Sequence, residues 1–233
     1  MIRKKKLISI IPVRKNSTGI KNKNLIKIYG KSLLERTIIL SKKNKYIDKT
    51  IVSTNCEKMF RIAKKHNCNS INLRPKKLST KYALTIDVIN HVIKENNLKD
   101  CYILLLQVTS PMRTQSMTEN FITNFNRKKK YNSAASVTNF DHPHPHKVQI
   151  IRKNSLISML NKESMVPRQK LPKVYKLNGL FYIAHSDQLL KKRTFFTKNT
   201  MPFKISEEKS LNLDNKVDLL ILKDLIKNRK IKK

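Results

Sequence analysis

Apolar and polar positions along the chain switch between two periods. Leu7-Ile8-Ser9-Ile10-Ile11 is a short apolar run that stops at Pro12 and reads as a strand. From Lys31 to Lys43, residues Leu33, Leu34, Ile38 and Ile39 recur at helical spacing. Thr50–Thr54 reads as a second strand, Glu57–His66 as a helix with Phe60 and Ala63 on one face, and Ile71–Leu73 as a short strand. Thr85–Asn96 carries Ile86, Ile89, Val92 and Ile93 and predicts a helix. Cys101–Gln107 is continuously apolar up to its last residue, as expected of a central strand buried on both faces. Ser116–Arg127 predicts a helix and Ser133–Val137 a strand. Strands alternating with helices imply right-handed crossovers and a mainly parallel sheet covered on both sides, an α/β protein.

The alternation breaks after about Asn139. Asp141-His142-Pro143-His144-Pro145-His146 excludes a helix. Val148–Ile151 and Gly179–Ala184 predict strands, separated by a polar stretch read as irregular. Helical spacing returns at Asp187–Lys191 and Asn215–Lys227, and Asn228–Lys233 is a basic tail expected to fray. No internal repeat is visible.

With 39% hydrophobic residues, 233 residues suit one elaborated α/β domain or two small lobes. No apolar run reaches the length of a membrane span, so a soluble protein is expected. Met1–Lys6 has the charge of a signal peptide, but the apolar run after it is too short and no cleavage site follows, which points to a cytoplasmic chain. Cys56, Cys68 and Cys101 are widely spaced without a Cys-x-x-Cys pair, against a disulfide framework or a zinc ribbon. The net charge of +36 invites a nucleic-acid reading. The lysines, however, are spread through every segment beside abundant Asn and Ile, and aromatics are only 6% and do not interleave with the basic runs. The charge is therefore read as compositional background that also attracts anionic substrates, not as a specific nucleic-acid surface.

The chemistry concentrates where strands end. After Pro12 comes a loop with Arg14, Ser17, Gly19, Lys23 and Asn24. Loops at the C-terminal ends of parallel strands bind ligands in open α/β sheets, and cations beside small residues suit a polyphosphate. A plain strand-to-loop connection fits the same residues. Gln107 ends the central strand; a ligand contact and a strand-end cap are both open to it. Arg74 precedes Pro75 and should leave the sheet edge extended, as a ligand contact or a solvated charge. Thr85 suits a helix N-cap. Phe195-Phe196 stands in a Lys- and Thr-rich segment and needs a burial partner, in its own chain or in another. His142, His144 and His146 suggest zinc, but Asp141 is the one further ligand type nearby.

Ordered motifs then add a resemblance. Arg14-x-x-Ser17-x-Gly19-Ile20-x-x-Lys23-Asn24 is similar to the first signature of the acylneuraminate cytidylyltransferases, the CMP-sialic acid synthetases, with Thr18 in place of the family's lysine. Further matches follow in order: Ile51–Thr54, Leu73-Arg74-Pro75, Leu104–Arg113, Pro167–Pro172, Tyr175–Ile183 and Ser210–Asp214. The resemblance implies a three-layer αβα nucleotidyltransferase, Rossmann-like with a small dimerisation lobe. The implied division is 1–138 nucleotide-binding core, 139–198 dimerisation and sugar-acid lobe, 199–228 return to the core with a metal-motif strand and the last helix, and 229–233 basic tail.

The resemblance also implies the roles. CTP would meet Arg14, Ser17, Gly19, Lys23, Asn24, Arg74 and Thr85. A nine-carbon sugar acid would meet Gln107, Arg168, Lys176 and Asn178. Phe195 and Phe196 would reach the active site of a second subunit in a homodimer. His-Pro repeats occur in the family without a metal. Two carboxylates two residues apart would hold Mg²⁺, but here the first is Asn212 and only Asp214 is charged: the site is weaker, or the triphosphate and the sugar carboxylate supply the missing charge, or activity is lost. Lys176 replaces an arginine and loses its planar fork. The implied reaction is CTP plus a nonulosonic acid giving the CMP-sugar and pyrophosphate. Legionaminic, pseudaminic or Kdo-type acids, and a non-catalytic sugar-nucleotide-binding relative, are the alternatives.

Overall fold

The computed structural model describes residues 1–15, 19–140, 142–160, 165–228 and 231. Its six-stranded sheet is built from β1 (Leu7–Pro12), β4 (Lys49–Ser53), β5 (Tyr102–Leu105), β6 (Ser133–Asn139), β9 (Tyr175–His185) and β10 (Thr200–Lys204), in the order β10-β6-β9-β5-β1-β4. β4, β1 and β5 pair in parallel, as do β6 and β10, while β9 runs antiparallel to both β5 and β6. The sheet is mainly parallel with one reversed strand inserted at its middle. Two small hairpins stand outside it: β2 (Lys27–Ile28) with β3 (Lys31–Ser32), and β7 (Gln149–Arg152) with β8 (Ser155–Ser158).

Among the described residues six α-helices complete the layers: α1 (Leu33–Lys43), α2 (Glu57–Lys65), α3 (Thr85–Glu95), α4 (Gln115–Arg127), α5 (Ser186–Lys192) and α6 (Lys216–Lys227). The period of two in β1 sorts them. Leu7 and Ile11 join Leu34, Met59, Phe121 and Leu222 in one apolar cluster, so α1, α2, α4 and α6 cover that face. Ile8 and Ile10 join Ile89, Val92 and Leu189 in a second cluster beneath α3 and α5. Ser9 is the polar exception in the strand. It faces α1, where its hydroxyl lies 2.6 Å from that of Ser41.

Several local expectations change. Ile71–Leu73 is not a strand. Contacts to the open edge of β4 come from Asn69, from the Ser70 hydroxyl and from Arg74, too sparsely for a ladder. Helix α1 begins at Leu33, because Ser32 and Glu35 form a capping box while Lys31 and Ser32 pair in β3. The polar stretch after Ile151 contains β8, turned through Lys153 and Asn154 at φ 48° and 61°. β10 was not expected; it tolerates Pro202 because it is an edge strand. Leu211–Asp214 is an extended loop rather than a strand. Most of the basic tail lies outside the described residues, though Ile231 packs into the first cluster. β9 and α5, within 139–198, belong to the central sheet and its cover, while the β7–β8 hairpin stands apart. No described helix is long and apolar enough to cross a membrane.

Candidate functional site

β1, β4 and β5 end on one edge of the sheet, and the loops leaving them enclose a cleft of about 340 Å³. Arg14, Lys23, Asn24, Arg74, Thr85, Gln107, Asn212 and Asp214 all line it. Lys81 lines it too, so four basic side chains face a single carboxylate. The electrostatic field in the cleft therefore favours a multiply charged anion.

Arg14, Lys23, Asn24 and Arg74 are each held by a backbone carbonyl of a neighbouring loop. Val13 N–H donates to Ser53 O at 2.9 Å and keeps the chain leaving β1 beside β4. Arg74 is buried; its Nη2 donates to Val13 O at 2.9 Å and its Nε to Ser79 Oγ at 3.2 Å. Burial, and secondarily the Arg14 charge, push its pKa down to about 10, so it stays cationic at neutral pH. Arg14 Nη1 donates to Thr80 O at 2.7 Å, linking the first loop to the 79–84 loop. Asn24 is buried and its Nδ2 donates to Arg14 O at 3.0 Å, making it a brace of the loop. Thr85 is the first residue of α3; the N-cap is Leu84, which has no side chain able to cap, so the N-cap expected at Thr85 lies one residue earlier. The exposed N-terminus of α3 thus opens into the cleft with its partial positive charge.

Lys23 and the 212–214 loop meet across the cleft. Leu213 N–H donates to Thr109 O at 2.9 Å and fixes the loop against the end of β5. Lys23 Nζ donates to Leu213 O at 2.5 Å and lies 3.1 Å from Asp214 Oδ1. Asn212 Nδ2 donates to Asp214 Oδ2 at 2.5 Å, while Asn212 Oδ1 is buried with no partner. Asp218 is occupied elsewhere: its carboxylate accepts from Asp214 N–H and Asn215 N–H in the capping box of α6. Gly19 serves this junction. A Cβ there would lie 1.9 Å from the Asp214 carbonyl oxygen, so only glycine lets the first loop approach so closely.

The residues expected to meet a sugar acid separate into groups. Gln107 lines the cleft, and its backbone carbonyl accepts from Arg113 Nη2 at 2.6 Å. Asn178 is buried and does not line it. Its Oδ1 accepts from Ser136 Oγ at 2.6 Å and its Nδ2 donates to Ser210 Oγ at 3.0 Å. It holds the β6–β9 bulge and the start of the loop that carries Asn212. Lys176 is exposed on β9, with its ammonium 5.2 Å from the Phe140 ring centroid. Phe195 is buried in its own chain against Tyr182, ring centroids 5.8 Å apart, whereas Phe196 is 44% exposed. Ser17 lies outside the described residues, and Arg168 is described only as part of the 3-10 turn Arg168–Lys170. His144 is buried and its ring is engaged by Pro172 O and His146 N–H; among the described residues no three His, Cys, Asp or Glu side chains group to hold a metal.

One functional residue escaped the sequence reading. Gly179 has φ +75°, and a Cβ there would fall 2.6 Å from Gln107 Oε1 and 3.9 Å from Asn212 Oδ1. Its bare backbone makes room for the Gln107 amide, while the Asn212 amide lies at ordinary contact distance. A glycine inside a strand pattern was the available signal for such a close approach.

Comparison with known proteins agrees with this geometry. Residues 8–231 match the family described as Cytidylyltransferase. The N-acylneuraminate cytidylyltransferase of Escherichia coli O18:K1:H7 is 29% identical over 216 residues, 91% of this chain and 50% of that protein. The pseudaminic acid cytidylyltransferase of Campylobacter jejuni is 26% identical over 230 residues, 95% of this chain and 97% of that protein. The chain thus spans about half the length of the first of these relatives and nearly all of the second. The solved CMP:2-keto-3-deoxy-manno-octonic acid synthetase complexed with CTP superposes with a TM-score of 0.71 at 14% identity, covering 96% of this chain and 99% of that one, a likeness of fold. The chain belongs to the cytidylyltransferase family.

Proposed function

We propose that the chain transfers the cytidylyl group of CTP to a nonulosonic acid of the sialic type, releasing pyrophosphate. The observation that carries this reading is the convergence of Arg14, Lys23, Arg74 and the α3 N-terminus on one cleft beside Asp214. The triphosphate lies along the cations. The anomeric hydroxyl of the sugar acid, oriented by Gln107, attacks the α-phosphorus in line and gives up its proton to water in the cleft. The bond from that phosphorus to the bridging oxygen breaks, and pyrophosphate leaves with its charge neutralised by Lys23 and Arg14. Asn24 and Gly19 keep the loop in place, and Arg74 braces it from beneath.

The donor set fits Mg²⁺. The ion needs one or two carboxylates and takes its remaining oxygens from phosphates and water. Asp214 is such a carboxylate; Asn212 turns its Nδ2 toward Asp214, so its buried, unpartnered Oδ1 would join the ion as a second oxygen once the amide turns over. Bound there, Mg²⁺ would neutralise phosphate charge and polarise the phosphorus. Asn212 contributes no charge, so affinity depends more on the triphosphate. A cytoplasmic location, where CTP is at hand, is part of this reading, and the even spread of lysine along the sequence supports no sequence-specific nucleic-acid role.

A second subunit is part of the proposal. The β7–β8 hairpin exposes Ile151 (77%) and Leu156 (73%), an apolar strip that a second copy would cover. Phe196 is the member of the aromatic pair free to reach a neighbour. Legionaminic and pseudaminic acids are the second reading for the sugar, each supported by a relative matched almost end to end. Incubating the protein with CTP, Mg²⁺ and a panel of nonulosonic acids should release pyrophosphate with at least one of them. No release with any acid, from protein that binds CTP, refutes the enzyme and leaves a binding relative.

A further inference from the structure

A second cleft, of about 310 Å³, lies on the other side of the Gln107–Arg113 loop, between that loop and α1. Val108 lines both clefts. Lys31, Arg36, Lys43 and Arg113 bring four cations to the second one, and no acidic side chain among the described residues lines it. Leu33, Leu40, Val108 and Pro111 supply apolar wall. The N-terminus of α4, through Thr114 and Gln115, adds a partial positive charge.

Two of the lining side chains each carry one buried polar atom without a partner. Arg113 is 6% exposed; Nη2 is used by Gln107 O and the guanidinium sits 5.5 Å from the Phe181 ring centroid, but Nε–H is buried without an acceptor. Ser110 is 4% exposed and its buried hydroxyl is also without a partner. Burial alone pushes the Arg113 pKa down to about 9, which leaves it charged at neutral pH and without a carboxylate in the cleft. Buried polar groups in native proteins are nearly always satisfied, and a buried cation more strictly so. An oxyanion is the group that would answer a guanidinium donor, a hydroxyl and a helix N-terminus together.

We propose that this second cleft binds a small amphipathic anion, a carboxylate or phosphate monoester on an apolar body, separately from the nucleotide cleft. The headgroup meets Arg113 and Ser110 and the body lies on Leu33 and Leu40. Because Arg113 also holds the Gln107 carbonyl, occupancy is felt at the floor of the first cleft.

NMR titration of the whole chain with phenyl phosphate and with benzoate, each with and without saturating CTP, tests this. Shifts at Leu33, Leu40, Val108 and Gln115 that persist with CTP are expected from at least one probe, and the tighter one identifies the headgroup. Inorganic phosphate and phenol should each bind about tenfold more weakly than the joined probe. Lys31→Glu/Lys43→Glu, both exposed, should weaken binding about tenfold, and Lys43→Gln about threefold should the double reversal not fold. Shifts confined to the first cleft and lost with CTP, equal binding of inorganic phosphate, or no shift at all would overturn the proposal.

Discussion

Replacing Gly179 with alanine separates the sugar side of the cleft from its phosphate side. The new Cβ would sit 2.6 Å from Gln107 Oε1, so the carboxamide must retreat by roughly 1 Å to reach ordinary contact. A displacement of about 1 Å in a positioning group costs on the order of 10² in rate. The backbone adds a separate cost. At φ +75° an alanine is strained by about 1–2 kcal/mol, which for a domain of this size lowers Tm by roughly 2–8 °C. The expected result is a folded protein with kcat/KM for the sugar acid reduced about a hundredfold and KM for CTP nearly unchanged. Thermal melts and steady-state pyrophosphate release read the two effects independently. In a Gln107→Ala background, Gly179→Ala should keep its Tm penalty but add little further loss of activity, since the displaced amide is already gone. An undiminished sugar-acid kcat/KM in Gly179→Ala, or fully additive losses in the double variant, would refute the idea that Gly179 acts through Gln107.

Lys23→Ala removes the cation 3.1 Å from Asp214 and should cost about 10²–10³ in turnover with CTP; a fall of less than threefold places the phosphates elsewhere. Asn212→Asp should lower the Mg²⁺ concentration for half-maximal rate and Asp214→Asn should abolish activity, while a wild-type rate in Asp214→Asn sinks the metal assignment. Phe195→Ala should destabilise the subunit itself by about 3–5 kcal/mol because the ring is buried in its own chain. Phe196→Ala should leave the fold intact but lose activity, and mixing it with Lys23→Ala under subunit exchange should restore part of that activity; no recovery in exchanged dimers argues against a shared site.

That Arg14, Lys23 and Asn24 share one cleft at the sheet edge was legible because it is local. A strand, a proline stop and a loop with Arg14, Lys23 and Asn24 predict their own position at the sheet edge. What those residues do there was less legible. Asn24 and Arg74 spend hydrogen bonds on the loop backbone, and Gly19 answers the Asp214 carbonyl, a partner nearly two hundred residues away. The sugar side depends on β9, whose reversed insertion between β5 and β6 is a long-range choice that periodicity does not encode. That insertion creates the bulge at Asn178 and sets Gly179 against Gln107. β10 was hidden because Pro202 and flanking lysine mask an edge strand, and β8 because Lys153-Asn154 turns without a glycine. Asn212 shows in the sequence as a neutral residue two before Asp214, but that its amide donates to Asp214 depends on the fold of the loop.

The central claim is transfer of the cytidylyl group, and phosphorus NMR of one reaction tests it directly. With CTP, Mg²⁺ and an accepted sugar acid, the α-phosphorus should appear in a phosphodiester to the sugar while free pyrophosphate grows in equal amount. CMP and pyrophosphate appearing at the same rate without the acid, and no phosphodiester with it, would mean hydrolysis rather than transfer and would contradict the account.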